Sequence, residues 1–409
     1  MTNNSSRERD LIYDWNVHGR TTVYPSSVEL DDETLRDGLQ SPSVLNPPID
    51  RKIEMLHLMD ALGIDTANIG YAGSSAAAQD DVVALARESA RLNIKVNVAC
   101  RTTLADIRPT IECAQRAGVP IEVSTFLGCS PIRRLAEDWD VEFMLQCVAE
   151  SVTFAVNEGM PCMFVTEDTT RGDPDTMRLL YTRAVECGAT HLCVADTVGH
   201  ATPDGAYNVV SYVKGIVREL GATGVKVDWH GHQDRGLGVA NTLAAIAAGA
   251  ERVHGTALGI GERCGNTPMD TLLVNLKLLG IVNHDLSRLR EYVQLASQIT
   301  GVPVPVNWPV FGADAFRTAT GVHASAVAKA LNKGDPWLAN RVYSGVPADW
   351  FGLKQVIEIG PMSGVSNVMF YLKSRNIEPE RPVVDRIMLA AKQSNRVLSE
   401  NEIMKLVKA

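Results

Sequence analysis

The stretch VDWHGHQDRGLGVAN, residues 227–241, places His230 and His232 two positions apart at the end of an apolar run. Side chains two apart in a β-strand point to the same face, so both imidazoles can enter one cavity. Two imidazoles beside a carboxylate form a common ligand set for divalent transition metals. A histidine pair alone can also serve a structural role, so the metal hypothesis depends on what the fold brings beside it.

Eight short runs rich in β-forming residues alternate with amphipathic helical patterns and must position this pair. The runs are 27–35, 64–71, 94–101, 120–127, 161–168, 191–199, 225–232 and 251–259. Eight strand–helix units predict a (β/α)8 TIM barrel, which typically has about 250 residues. A doubly wound open sheet is the alternative, but the Gly-rich phosphate loop that usually follows its first strand is missing.

Polar clusters fall where the predicted strands end. They read ETLRDG, TEDTTRGD, ADTVGHATP, HGHQD and GIGERCGN. Barrel enzymes carry their catalytic residues at these carboxyl ends. Closure of a barrel places strand 1 beside strand 8, which brings Asp37 toward His230 and His232, with Asn266 between them. The sequence therefore predicts that these four residues bind Mg²⁺, Mn²⁺ or Zn²⁺.

Three further side chains at the strand ends are candidates for substrate contacts. Arg36 precedes Asp37 and is either a surface ion-pair arginine or a fixed cation that neutralises a carboxylate or a developing enolate. Glu167 ends strand 5, and Thr197 lies at the end of strand 6 with a short hydroxyl suited to a substrate carboxylate. Some polar residues at these ends must instead cap helices or bond to each other.

Charge and composition argue against two classes of partner. The 409 residues carry a formal net charge of -9 and no basic run, which argues against nucleic acid. No apolar segment approaches the about 20 residues that span a bilayer, and the N-terminus lacks the apolar core of a signal peptide. We therefore expect a cytoplasmic protein that acts on small molecules.

The eight cysteines contain no CxxC pair and fit reduced, mostly buried thiols in that compartment. Cys264, in a glycine-rich loop, is the candidate for the less favoured alternative, a cysteine nucleophile. Proline-rich GVPVPVNWPVFGADAF marks a change of pattern along the chain. We predict an N-terminal arm over 1–23, a catalytic barrel over 24–305 and a small, mainly helical C-terminal subdomain over 306–409.

The motifs ETLRDG, HGHQDRGLGVANTLAAIAAGA and GTALGIGERCGN together resemble the barrel metalloenzymes of the isopropylmalate synthase, homocitrate synthase and HMG-CoA lyase superfamily. The third motif is typical of the synthases, which condense acetyl-CoA with an α-keto acid in a Claisen-type reaction. The resemblance implies that Asp37, His230 and His232 bind the metal with Asn266 close by, and that Arg36 stabilises the enolate or keto oxygen. An HMG-CoA lyase-like enzyme is the alternative, and an inactive barrel with a binding role is a third hypothesis.

The resemblance extends into the C-terminal region, where DAFRTATGVHASAVAKA and RVYSGVPADWFG are similar to family segments. It implies that His323 acts as the base that removes a proton from acetyl-CoA, supported by Tyr343 and Glu167, and that Thr197 holds the keto acid's carboxylate. It also implies a homodimer in which this subdomain reaches the partner's active site. Asn68 and the histidine-free EVSTFLGCS depart from the family pattern where the keto-acid side chain should lie, so the identity of that acid stays open.

Overall fold

Eight parallel strands close into a barrel in the computed structural model, which describes residues 7–8, 10–19 and 22–409. The strands are β1 (Glu29–Asp32), β2 (Thr66–Asn68), β3 (Lys95–Arg101), β4 (Glu122–Gly128), β5 (Cys162–Glu167), β6 (His191–Asp196), β7 (Lys226–Gly231) and β8 (Arg252–Gly255). Each strand pairs in parallel with the next, and β8 pairs with β1. The (β/α)8 prediction is confirmed, and each predicted strand region overlaps one of these strands, with β4 extending one residue beyond its region.

Helices connect the strands and continue after the last one. They are α1 (Ile49–Ala61), α2 (Ala76–Ser89), α3 (Leu104–Ala117), α4 (Pro131–Glu137), α5 (Val141–Asn157), α6 (Pro174–Glu186), α7 (Pro203–Glu219), α8 (Gly238–Ala247), α9 (Met269–Leu278) and α10 (Leu289–Thr300). Helices α6 and α7 each have proline as their first residue and a polar N-cap residue just before it. The N-cap side chains, Asp173 and Thr202, accept hydrogen bonds from backbone N–H groups of the first turn. These caps fix the residue at which each helix begins after the preceding strand.

The junction between β1 and β8 positions the first polar loop. Asp31 lies opposite His254 and Asp32 opposite Gly255, and the backbone N–H of Glu33 donates to the Gly255 carbonyl at 2.8 Å. The chain then enters a 3-10 turn over Gly38–Gln40. Residues that follow β1 are therefore held against the end of β8, as barrel closure requires.

The core lies between the barrel and its helices. Its largest fully buried side chains include Trp229, Tyr181, Tyr292 and Phe164. All eight cysteines are free, and Cys264 is the exposed one. Among the described residues, no helix has the length and the apolar character needed to span a membrane.

The C-terminal region adds a two-stranded sheet, β9 (Arg317–Thr318) paired with β10 (Val356–Ile357), and five helices. The helices are α11 (Gly321–Asn332), α12 (Pro336–Ala339), α13 (Val365–Lys373), α14 (Arg381–Gln393) and α15 (Glu400–Lys408). Its last three helices share an apolar cluster that includes Val368, Leu372, Ile387 and Ile403. The region is mainly helical with a small sheet, while its start at residue 306 stays a prediction.

Candidate active site

The barrel mouth brings Asp37 together with the histidine pair. Oδ2 of Asp37 lies 3.4 Å from Nε2 of His230 and 3.6 Å from Nε2 of His232. All three residues are buried, and one ligand atom from each lies within 4.8 Å of the others. His230 on β7 and His232 just after its end line the same cavity, and the β1–β8 junction holds Asp37 beside them. Residues almost two hundred positions apart therefore form one cluster.

Asn266 lies beside this cluster in the loop after β8 and pairs with His232 through an isolated β-bridge. Its Nδ2 donates to the Ile260 carbonyl at 3.1 Å, whereas its Oδ1 is buried without a hydrogen-bond partner among the described residues. An orphaned amide oxygen, a carboxylate and two imidazoles form a donor set that fits a divalent cation. The residues present therefore suit the metal that the sequence predicts.

Glycine shapes the loop that carries Asn266. Gly265 has a φ of +87°, and a Cβ there would lie 1.8 Å from the Gly259 carbonyl oxygen. No other residue fits so close a backbone approach at a positive φ. The glycines of GIGERCGN thus allow a tight loop that folds back over the histidine pair.

Glu33 is a central residue that the sequence analysis missed. Its Oε2 lies 2.8 Å from Nδ1 of His230, and its Oε1 lies 2.8 Å from Nη2 of Arg36 and 3.3 Å from Nδ1 of His254. Burial alone would raise the pKa of Glu33, but Arg36 and His230 hold that pKa well below its usual value. One ionised carboxylate therefore contacts three groups of the site.

Arg36 lies between Glu33 and Asp37, 3.4 Å from Oδ2 of the latter. The guanidinium also lines the open cavity at the barrel mouth. A fixed cation in this position can stabilise negative charge that develops on a bound oxygen atom.

Below the histidines, the barrel interior holds a layer of buried charges. Arg252 donates to Asp228 at 2.6 Å and to Glu122 at 2.8 Å, and His254 is hydrogen-bonded to Asp228 at 3.2 Å. Burial opposes the charged imidazole, but hydrogen bonds to Asp228 and Glu33 raise the pKa of His254 to about 10. Buried ions persist only when they are paired in this way. His254 could have been identified from sequence, since it lies two positions after Arg252 on the same strand face.

The mouth opens into a cavity of about 260 Å³. Its lining residues are Glu33, Arg36, Asp37, Gln40, Asn68, Tyr71, Ala99, Ser124, Phe126, Met163, Val165, Glu167, Cys193, Ala195, Thr197, His230, His232, His254 and Glu262. Thr197 accepts a hydrogen bond from the backbone N–H of Asp168 at 2.8 Å. Oε1 of Glu167 lies 3.7 Å from Nε of Arg133, and burial raises the pKa of Glu167.

His323 and Tyr343 lie in the C-terminal region rather than around this cavity. Their rings contact each other, with centroids 4.3 Å apart, and both side chains are exposed. A larger cavity of about 1190 Å³ also lies in that region, and its lining includes none of the predicted site residues. The chemistry-bearing residues therefore form two groups, one at the barrel mouth and one on the C-terminal surface.

The sequence and the fold match known proteins. The sequence model of the HMGL-like family matches residues 27–296. A homocitrate synthase AksA from Methanopyrus kandleri is 31% identical over 366 residues, which cover 89% of this chain and 87% of that protein. A 2-isopropylmalate synthase from Methanocaldococcus jannaschii is 32% identical over 358 residues, 87% of this chain and 64% of the relative, so the chain spans just under two thirds of that protein's length.

Among solved structures, a hydroxymethylglutaryl-CoA lyase from Pseudomonas aeruginosa superimposes with a TM-score of 0.57 at 18% identity. The match covers 68% of this chain and 94% of the lyase. At that identity the likeness shows a shared barrel fold and no more.

Proposed function

The chain belongs to the HMGL-like family, and we propose that it is an acyltransferase that condenses acetyl-CoA with an α-keto acid. The expected products are a 2-alkylmalate-type hydroxy diacid and free CoA. The observation that carries this proposal is the buried cluster of Asp37, His230 and His232 beside Arg36 in one cavity. Curated relatives at 31% and 32% identity, named as a homocitrate synthase and a 2-isopropylmalate synthase, support the same reaction class.

Each group at the barrel mouth has a role in this reaction. Asp37, His230 and His232, with Asn266 close by, would hold a divalent cation, which would supply Lewis-acid polarisation of the keto carbonyl. The Arg36 guanidinium stabilises the negative oxygen that forms when that carbonyl carbon is attacked. The donor set suits Mg²⁺, Mn²⁺ or Zn²⁺.

The remaining roles concern the substrate carboxylate and a proton. Thr197 holds the keto acid's carboxylate, while His323, with Tyr343 and Glu167, removes a methyl proton from acetyl-CoA. The resulting carbanion forms a carbon–carbon bond to the keto carbon, and the carbonyl π electrons become an alkoxide that takes up a proton. Water then cleaves the thioester, which releases CoA as a free thiol and drives the reaction forward.

His323 and Tyr343 lie outside the cavity of their own chain, and we propose that they act in the active site of a partner in a homodimer. A base must contact its substrate, and neither residue lines the cavity of its own chain. Both side chains are exposed in the single chain, so a second chain can contact them. The free state of all eight cysteines supports a reducing, cytoplasmic location.

The test is free-thiol release from acetyl-CoA in the presence of Mg²⁺ or Mn²⁺ across a panel of α-keto acids. We expect release with at least one acid, and its loss on addition of EDTA. Cleavage of 3-hydroxy-3-methyl acyl-CoAs without any condensation would instead assign the protein to the lyase reaction. Binding of the acids without either reaction would favour a non-catalytic barrel.

A further inference from the structure

The cavity wall across from the histidines carries two polar residues with unused hydrogen-bonding capacity. Asn68 ends β2 and Ser124 lies on β4, and these strands flank β3. In a closed barrel of eight strands, β3 stands four positions from β7, so this wall faces His230 and His232. A keto acid whose carbonyl lies at the histidine cluster therefore directs its side chain toward Asn68 and Ser124.

Both residues are almost fully buried, and each has a side-chain oxygen without a hydrogen-bond partner among the described residues. Asn68 is 1% exposed and Ser124 is 2% exposed. Oδ1 of Asn68 and Oγ of Ser124 make no hydrogen bond within the described part of the chain, yet both residues line the cavity. Buried polar atoms are nearly always paired, so these two point to a ligand group that pairs with them. A hydroxyl group fits both, because it can donate to the amide oxygen and accept from the serine.

The charges around the cavity disfavour a second carboxylate on the substrate. Arg36 is the one arginine or lysine among the described residues of the lining, and it already contacts Glu33 and Asp37. Glu167 and Glu262 add negative charge to the lining. A distal carboxylate would therefore lose its hydration without gaining a free cation.

Other cations near the cavity are engaged in ion pairs. Arg133 lies 2.9 Å from Glu137 and 3.7 Å from Glu167. Arg101, at the end of β3, donates to Asp106 at 2.7 and 2.9 Å and does not line the cavity. His254 is held by Asp228 and Glu33. None of these three groups is free to bind a dicarboxylic keto acid.

Five further wall residues are small or apolar. They are Ala99, Phe126, Met163, Val165 and Ala195. Such walls suit a short carbon chain, whereas the polar pair suits its end.

We propose that the α-keto acid of this enzyme has a short, uncharged side chain that ends in a hydrogen-bonding group, held between Asn68 and Ser124. This proposal rests on the proposed function for the identity of the ligand as an α-keto acid. It makes Asn68 and Ser124 the residues that select among such acids.

Calorimetric binding to the Mn²⁺-loaded protein tests this selection apart from turnover. Three probes of similar length differ only at the end of the side chain: 3-hydroxypyruvate carries a hydroxyl, 2-oxobutyrate a methyl and oxaloacetate a carboxylate. We expect 3-hydroxypyruvate to bind at least about tenfold more tightly than either of the others, since a site built for a hydroxyl rejects analogues without one. Equal or tighter binding of 2-oxobutyrate or oxaloacetate overturns the proposal.

Variants locate the preference on the two residues. Asn68→Leu and Ser124→Ala should each bring the affinities for 3-hydroxypyruvate and 2-oxobutyrate closer together, while Mn²⁺ affinity stays unchanged. Ser151→Ala removes an equally buried hydroxyl on α5, outside the cavity, and should leave the preference intact. An unchanged preference in both cavity variants would also overturn the proposal.

Failure of the inference and failure of the proposed function give different results. Thiol release that is fastest with oxaloacetate refutes the side-chain assignment and leaves the condensing reaction in place. A binding preference for 3-hydroxypyruvate without thiol release from any acid refutes the condensing reaction and leaves the selective site. Absence of binding by all three acids to protein that holds Mn²⁺, together with no thiol release from any acid of the panel, refutes both.

Discussion

The two ring nitrogens of His230 face two different carboxylates, with Nδ1 2.8 Å from Glu33 and Nε2 3.4 Å from Asp37. A carboxylate at Nδ1 favours the tautomer whose Nε2 lone pair is free to bind a metal. Glu33 thus orients His230 toward the predicted metal. The same carboxylate also holds the Arg36 guanidinium in place through an ion pair.

Replacing Glu33 should weaken metal binding although Glu33 is not itself a predicted ligand. We expect Glu33→Gln to lower Mn²⁺ affinity about 10- to 100-fold, as loss of such outer carboxylates commonly does. Titration of free Mn²⁺ by electron paramagnetic resonance measures it. Glu54→Gln, on the exposed face of α1, is the control and should bind Mn²⁺ normally. Normal affinity in Glu33→Gln would contradict the orienting role.

Removing one predicted metal ligand should abolish both metal binding and thiol release. His232→Ala is expected to lose Mn²⁺ affinity, because it deletes one of two imidazoles from the cluster. His57→Ala removes an exposed histidine that pairs with Glu88 on the outer helices, and both properties should survive there. Full metal-dependent activity in His232→Ala would rule out this ligand set.

Stability should respond to pH through Asp32, which contacts the Tyr292 hydroxyl in the interior. Burial raises the pKa of Asp32 to about 7 from 3.8. The folded protein therefore keeps this proton while the unfolded chain loses it, so the Asp32 contribution is full below pH 3.8 and falls as pH rises toward 7. The slope is at most about 1.4 kcal/mol per pH unit.

The variant Asp32→Asn isolates that contribution. Its free energy of unfolding, measured with urea at several pH values, should increase relative to that of the wild type as pH rises from 4 to 7. This range spans the change in the Asp32 pKa from 3.8 in the unfolded chain to about 7 in the folded protein. A difference that is constant over this range would show that Asp32 is ionised in the folded protein.

Gly265 should be intolerant of a side chain. In Gly265→Ala the new Cβ would meet the Gly259 carbonyl at a positive φ, so we expect the free energy of unfolding to fall by about 1–3 kcal/mol and Mn²⁺ affinity to fall as the loop shifts. Gly224→Ala is the matched control, since a Cβ at Gly224 contacts nothing within 4 Å. Wild-type stability and affinity in Gly265→Ala would refute this account of the loop.

Two inactive variants should restore each other if the C-terminal region serves a partner's barrel. A dimer formed from one His232→Ala chain and one His323→Ala chain contains one site with both histidines. An equimolar mixture should therefore regain about a quarter of wild-type thiol release, because half the dimers are mixed and each has one intact site. No recovery after subunit exchange, verified by mass spectrometry, would place both histidines in the site of one chain.

The barrel could be predicted from the sequence because its strands and helices follow from patterns between residues close together in the chain. Strand periodicity located His230 and His232, and closure of β8 on β1 predicted their approach to Asp37, which the structure places 3.4 and 3.6 Å away. Barrel closure did not predict the contacts of Glu33, although Glu33 lies in the motif ETLRDG. Its role depends on which way the chain turns after β1, and a periodic pattern does not encode that turn.

The buried ion pairs inside the barrel also could not be predicted from composition. Arg252, Asp228 and Glu122 come from three different strands and read as surface residues one at a time. Only their pairing makes burial tolerable, and pairing across a barrel is a property of register. The position of His323 and Tyr343 relative to a second chain depends on an interface, which lies beyond any local pattern.

The pairing of β1 with β8 sets an order of events during synthesis of the chain. The carboxylates of the site are made early, the histidines and Asn266 late, and the sheet that joins them cannot close until β8 has left the ribosome. The predicted ligand set of Asp37, His230 and His232 is therefore complete only in the closed barrel. A nascent chain that ends before residue 252 contains both histidines but lacks the strand that pairs with β1, so it cannot yet hold Asp37 beside them.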